Sequence, residues 1–284
     1  MMISRRALIA AGGGLVLTPS KPEAASPLDG AYSAGAERTI FATGGLFPGP
    51  PGNPLFAEFL LSLKTTPRPR ICYIDAAGGD CAEDYDGFRR DMAALPCLTE
   101  HFDIFRPPTL DFADYLEGMD IVFVDGGSTR NLIALWKAWG FDGALAKAWK
   151  SGVVMSGSSA GALCWFEAGL SDSYPKVLSA VHCLGLLPGS ADVHHHSRPD
   201  RATRFRRLIA DGSLKSPGLA LDEAVAVLYR GEKRIELVSA KKDAGAWLVT
   251  RTPSGYDEVS LPVRYLGPGL TTYKQRRQSV PVNR

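Results

Sequence analysis

The sequence predicts an α/β fold: three layers, α/β/α, with a mostly parallel central sheet and an antiparallel extension near the C-terminus. Three features of the chain carry this. From Arg38 on, short apolar runs alternate with helical patterns, as in a parallel sheet covered on both faces. Glycine-rich turns near Gly44, Gly78, Gly126 and Gly157 fit strand ends that share one rim, and ligands of such sheets bind at the carboxyl rim. The last third of the chain reads instead as strands in hairpins.

The elements follow in order. Thr39 to Thr43 is a short buried strand ending in Gly44-Gly45, and a Pro/Gly loop, Pro48 to Pro54, leads to a helix around Leu55 to Leu63. Arg70 to Ile74 is a second strand, followed by the loop Asp75 to Asp80 and a helix over Asp84 to Ala94. Thr99 to Phe105 is a third strand, and Ile121 to Val124 a fourth, ending in Asp125-Gly126-Gly127. Helices follow at about Thr129 to Trp136 and Phe141 to Ser151. The run Gly152-Val153-Val154-Met155 is a fifth strand, with a helix-like segment from Ala160 to Ala168. Gly218 to Leu221 reads as a strand whose end carries Asp222 and Glu223. Val225 to Tyr229, Arg234 to Val238, Ala246 to Arg251 and Tyr256 to Leu261 are the hairpin strands of the extension. With no clear linker between residues 38 and 266, residues 38–284 read as a single domain.

The chain has 284 residues, 45% of them hydrophobic and 22% charged, with a net charge of +2. This balance gives no reason to expect a nucleic-acid partner. Five cysteines (Cys72, Cys81, Cys97, Cys164 and Cys183) without a C-x-x-C pair suggest neither a disulfide framework nor a zinc knuckle. Cys72 and Cys164 lie in apolar runs and read as core. Beyond the N-terminus no apolar stretch is long enough to span a bilayer, so stable membrane insertion is not expected. Residues 1–37 differ in kind. Ser4-Arg5-Arg6, the weakly apolar stretch Ala7 to Leu17 and the small-residue run Ala24-Ala25-Ser26 resemble a twin-arginine export signal. That predicts a periplasmic or exported protein; a tail on a cytoplasmic protein is the alternative.

The chemistry centres on Gly157-Ser158-Ser159-Ala160-Gly161-Ala162. A G-x-S-x-G run between a strand and a helix is the context of a nucleophile elbow, in which a tight turn lifts one serine, here Ser159, above the sheet. Backbone N–H groups at the helix start suit a developing oxyanion. A serine nucleophile needs a base and an orienting acid. The histidines are His101, His182, His194, His195 and His196, the last three in a loop from Gly189 to Pro199. Asp222 and Glu223 are the acid candidates. The order Ser, His, acid differs from that of an α/β-hydrolase, which places the acid before the histidine. A metal site at His194, His196 and Asp192 is disfavoured, because no H-E-x-x-H helix or cysteine cluster accompanies it. His195 and His196 then read as exposed loop residues. The arginines Arg198, Arg201, Arg204, Arg206 and Arg207 read as a solvated helix face, and Asp125 as a strand-end residue bonding local N–H groups. Trp136, Trp139 and Trp165 read as core or rim packing.

From about Ile40 to Leu266 the chain resembles the dipeptidase E (peptidase E) family of serine peptidases. The resemblance runs through Ile40 to Gly45, Tyr73 to Asp80, Gly126-Gly127-Ser128-Thr129, Gly157 to Glu167, Ser171-Asp172-Ser173, Leu184 to Ser190 and Leu221-Asp222-Glu223. It implies the class I glutamine amidotransferase-like fold that the family shares with cyanophycinases. It also implies cleavage of small peptides, especially dipeptides with N-terminal aspartate, without a cofactor. By resemblance Ser159 is the nucleophile and His194, six positions after Pro188, the base. Glu223 takes the acid position, with Asp222 its rival and Asp172 third. The N–H groups of Gly127 and Ala160 would form the oxyanion hole, and Arg201 aligns with a position that meets the substrate carboxylate. The chain departs from the family in three places. It reads Val193-His194-His195-His196 where the family often has Pro-His-Tyr/Phe-Asp. Asp125 stands for the third strand-end glycine of a Gly-Gly-Gly, and Ser158 beside Ser159 raises an off-by-one assignment. A cyanophycinase-like exopeptidase is the main rival, although those enzymes tend to carry Gly-Gly-Asp-Gln where this chain has Gly126-Gly127-Ser128-Thr129. An esterase, or a binding protein on an inactive peptidase scaffold, are the others.

Overall fold

The computed structural model describes residues 37–174 and 177–267. The segment read as an export signal lies outside them, apart from Glu37.

Five parallel strands form the centre of the main sheet. They are β1 (Thr39–Thr43), β2 (Arg70–Ile74), β3 (Leu98–His101), β4 (Ile121–Val124) and β5 (Val154–Ser158), in the spatial order β1-β5-β4-β2-β3. Their side chains alternate between two faces, and each face is buried. Phe41, Ile71, Tyr73 and Phe123 pack under α1 (Leu55–Ser62) and α2 (Ala82–Met92). Ile40, Cys72, Val122 and Met155 face α3 (Phe112–Glu117), α4 (Thr129–Trp139) and α5 (Phe141–Lys150), where Trp136, Phe141 and Leu145 are fully buried. The three-layer expectation holds. The third strand is shorter than its apolar run: Phe102 and Ile104 remain buried beyond it, with the Ile104 N–H donating to the Asp80 carboxylate at 3.0 Å.

Two corrections concern the second half of the chain. The helix expected over Ala160 to Ala168 is a single turn, α6 (Ala160–Leu163), after which the chain runs as strand β6 (Phe166–Tyr174). Packing overrides local propensity here: Trp165 and Phe166 are drawn into the core, against Trp136 and Tyr229, and the backbone pairs with β8 (Leu187–Asp192). The C-terminal hairpins, in turn, do not form one extension. The first, β10 (Val225–Arg230) and β11 (Lys233–Ser239), joins the main sheet, with β10 antiparallel to β1 and β14 (Arg264–Tyr265) at the edge. The second, β12 (Ala246–Thr252) and β13 (Gly255–Leu261), joins a separate six-stranded sheet of order β13-β12-β9-β8-β6-β7, which includes β7 (Val177–His182) and β9 (Gly218–Leu221). Phe205, Leu208 and Ile209 of α7 (Pro199–Ala210) cover that sheet over Leu170, Ala220 and Val249.

The carboxyl ends of β1, β2, β4 and β5 share one rim, as parallel strands require. The loop after β2 touches the loop after β4 through Ser128 N–H to Ala77 O, at 2.9 Å. Strands β8 and β9 of the second sheet end beside the same rim, where the His195 N–H bonds Leu221 O at 3.0 Å and the His194 N–H bonds Gly44 O at 3.2 Å.

Candidate active site

Ser159 lies between β5 and α6 with φ 56° and ψ −114°, a region that non-glycine residues rarely occupy and that costs about 1–3 kcal/mol. The surroundings hold it there. Its N–H donates to Thr43 O at 3.2 Å, and its carbonyl accepts from Ala162 N and Leu163 N, each at 3.0 Å. The two flanking glycines have a steric cause. A Cβ on Gly157 would strike the Gly161 backbone, and one on Gly161 would strike the Val124 carbonyl. The Gly126 backbone approaches so closely that a Cβ there would lie 3.3 Å from Ser159 Cβ. Because α6 is only one turn long, the electrophilic groups beside Ser159 are individual N–H donors rather than a helix dipole. The Gly127 and Ala160 N–H groups have no protein acceptor among the described residues.

His194 brings Nε2 to 3.0 Å from Ser159 Oγ and Nδ1 to 3.1 Å from Glu223 Oε1. With Nδ1–H donating to the carboxylate, Nε2 presents the lone pair that accepts the serine proton. His194 itself adopts φ 55°. Its ring fits because the facing residue is Gly45, at φ 142°: a Cβ there would lie 2.6 Å from His194 Cε1. The Gly44-Gly45 end of β1 therefore seats the imidazole, where the sequence placed Gly44 only on the rim. Ser158, the off-by-one rival, is 6% exposed within β5, paired with Thr43, while the histidine contact goes to Ser159.

The other sequence candidates lie elsewhere. Asp222 does not meet His194. It accepts from the His196 N–H (3.2 Å), His196 Nδ1 (2.9 Å) and the Gly245 N–H (3.0 Å), so its carboxylate ties the turn before β10 to the neighbouring loops. Asp172 is exposed, and its ion-pair neighbour is Arg201 at 3.8 Å. Arg201, expected to meet substrate, is 3% exposed, with Nε 2.8 Å from the fully buried Asp192 and Nη2 donating to Leu170 O at 2.9 Å. Its guanidinium is consumed by the protein interior. The solvated arginine face is also corrected, since Arg206 pairs with Glu258 and the Arg204 Nε–H donates to Leu178 O. His196 is exposed as expected, but His195 is fully buried. Asp125 bonds local donors as expected, accepting from Gly126 N and Tyr73 OH, each at 2.7 Å. No group of three or more His, Cys, Asp or Glu side chains suited to a metal ion occurs among the described residues.

One acidic group on the rim escaped the sequence reading. Burial, reinforced by the Asp125 carboxylate, pushes Asp75 from 3.8 up to about 7. A raised folded value means that its favourable contribution is complete below about pH 4 and is lost as the pH rises through 7. Asp75→Asn removes this penalty. Relative to wild type, the variant is expected to gain about 2–4 kcal/mol between pH 4 and pH 8. Urea melts at the two pH values check this; a stability difference that does not change with pH contradicts it.

Comparison with known proteins finds relatives of this chain among peptidases. The model of peptidase family S51 matches residues 40–237. The chain is 38% identical over 231 residues to the protein named uncharacterized peptidase YgaJ of Bacillus subtilis (strain 168), covering 81% of this chain and all of that one. The fold is similar to the crystal structure of a peptidase from an acI-B1 actinobacterium, with a TM-score of 0.58 and 17% identity over 80% of this chain and 98% of that one. It is also similar to a Listeria monocytogenes EGD-e protein named as a candidate peptidase E, with a TM-score of 0.52 and 16% identity over 70% of this chain and 98% of that one. By family match and curated relative together, the chain belongs to peptidase family S51 and is a serine-type peptidase.

Proposed function

We propose that this peptidase hydrolyses small peptides, dipeptides with N-terminal aspartate in particular, through a Ser159–His194–Glu223 triad and an acyl-enzyme. The observation that carries the reading is the continuous array from Ser159 Oγ through His194 to Glu223, with both hydrogen bonds at 3.0–3.1 Å. Ser159 Oγ attacks the scissile carbonyl carbon while His194 Nε2 takes its proton. The Gly127 and Ala160 N–H groups receive the oxyanion, each donor contributing about 10²–10³ in kcat. Collapse breaks the C–N bond, and His194 returns the proton to the leaving amine. Water, deprotonated by the same imidazole, then releases the acid and restores Ser159. These steps need no cofactor. The twin-arginine-like N-terminus supports action outside the cytoplasm.

An acidic side chain on the substrate requires a cation on the rim, and Arg201 is spent on Asp192. Arg130 is the candidate. It is exposed, three positions after Gly127, its guanidinium lies 4.3 Å over the Tyr174 ring, and its N–H donates to Ser173 Oγ. Strands β6 and β8 run parallel with Gly169 opposite Ala191. From there β6 continues through Asp172 to Tyr174, where the Arg130 guanidinium sits, while β8 ends at Asp192, two residues before His194. The test is hydrolysis of Asp-Leu and Ala-Leu by wild type and Arg130→Ala. Asp-Leu is the expected substrate. Loss of one charged hydrogen bond should raise its KM about 10-fold or more and leave Ala-Leu unaffected. Equal hydrolysis of the two dipeptides contradicts the aspartyl preference, and cleavage of neither contradicts the dipeptidase reading.

A further inference from the structure

We propose that His195, buried behind the catalytic loop, is a positioning residue: its bond to Asp192 staples the loop on either side of His194 and holds the imidazole on Ser159. This rests on the reading of His194 as the general base.

His194 occupies the left-handed region with a full side chain, a conformation that persists only where the neighbours dictate it. Asp192, the last residue of β8, precedes it by two positions, and His195 follows directly. Both are 0% exposed, and His195 Nδ1 lies 2.6 Å from Asp192 Oδ2. The loop is therefore closed across its base by one short, fully buried hydrogen bond, with His194 at its apex. The other Asp192 oxygen is held by Arg201 Nε at 2.8 Å, so the acceptor is itself fixed. On the far side His195 Nε2 faces Glu258 Oε1 at 3.9 Å, and Glu258 is held by Arg206 Nη2 at 2.8 Å. The ring packs between Trp247 and Phe205. The His195 N–H bonds Leu221 O, one residue before the Asp222-Glu223 turn. His195 thus references the base to the end of β8 through its side chain and, through its backbone N–H, to the strand that delivers its acid. Catalytic geometry tolerates displacements of only about 0.5 Å, and a misplacement of about 1 Å can cost 10²-fold.

The proposal predicts which atom of His195 matters. The Asn amide places its N–H where Nδ1 lies, Gln places it where Nε2 lies, and Phe fills the volume with no donor. The readout is the rate at which a fluorophosphonate modifies Ser159, measured from pH 5 to 9 beside kcat and KM on Asp-Leu. His195→Phe and His195→Gln are expected to lower the plateau rate and kcat about 30–100-fold. KM and the pH midpoint should stay unchanged, because the base is displaced and not altered in basicity. His195→Asn should recover to within about 5-fold of wild type. Circular dichroism and thermal melts establish that each variant is folded. A folded Phe or Gln variant with wild-type kcat overturns the proposal. So do Asn, Gln and Phe variants that are equally impaired, and so does loss of the fold in Phe and Gln with full activity in Asn, which would report stability alone. His194→Ala is run alongside: if it retains activity, the base assignment has failed, and the staple with it.

Discussion

Ser159→Ala is expected to abolish peptide hydrolysis, lowering kcat by about five to six orders of magnitude, the loss seen when a serine nucleophile is removed from a triad. The magnitude follows from the coupling of the three groups. Without Oγ, His194 Nε2 has no proton to take, and the N–H groups of Gly127 and Ala160 have no adduct to stabilise. The fold should persist. The φ of 56° at this position is imposed by the Thr43, Ala162 and Leu163 hydrogen bonds, all made by the Ser159 backbone. Stability within about 1 kcal/mol of wild type is therefore expected for so small a side-chain deletion. Residual activity above one per cent of wild type, in protein shown by mass to carry the substitution, contradicts the assignment.

The second large effect separates Glu223 from Asp222. Glu223→Gln leaves an amide beside His194 Nδ1, which can turn its own N–H toward the ring and favour the wrong tautomer. A triad that loses its carboxylate in this way drops about 10⁴-fold. The Glu223 side chain is 48% exposed, and water can partly substitute for it, so a fall of about 10²–10³ is expected here. Asp222→Asn should behave oppositely. Its carboxylate accepts from His196 and Gly245 and makes no contact with His194. Turnover should stay within about 3-fold, while stability falls by about 1–2 kcal/mol as charge-assisted hydrogen bonds weaken. Steady-state kinetics and urea melts on the two variants decide it. If the losses are reversed, the acid has been misassigned.

Much of the main sheet was legible in the sequence because β1, β2 and β4 are short, largely apolar runs that end in a turn. Arg70 to Ile74 and Ile121 to Val124 fall where the periodicity puts them. The tight turn that carries Ser159 was legible for a related reason. Gly157 and Gly161 are demanded by backbone contacts only ångströms away, and such local constraints leave a mark in the residues themselves. The second sheet was not legible. Phe166–Tyr174 carries no clear alternation, and its pairing with Leu187–Asp192 is decided by a partner far along the chain. Arg201 and His195 were misread for the same kind of reason. Charged residues at helical spacing, or in a histidine run, look solvated until the ladder that buries Asp192 is known. Likewise, nothing local marks Asp75 as the carboxylate whose ionisation costs stability. Its shift comes first from burial and then from Asp125, on a different strand end.

The most direct measurement is the site of fluorophosphonate modification. The protein is treated with the reagent at pH 8, digested, and the modified residue located by tandem mass spectrometry, with Ser158→Ala and His194→Ala treated in parallel. One adduct is expected, on Ser159, formed as fast in Ser158→Ala as in wild type and suppressed in His194→Ala. An adduct on Ser158, or equal labelling with and without His194, would contradict the Ser159–His194–Glu223 triad.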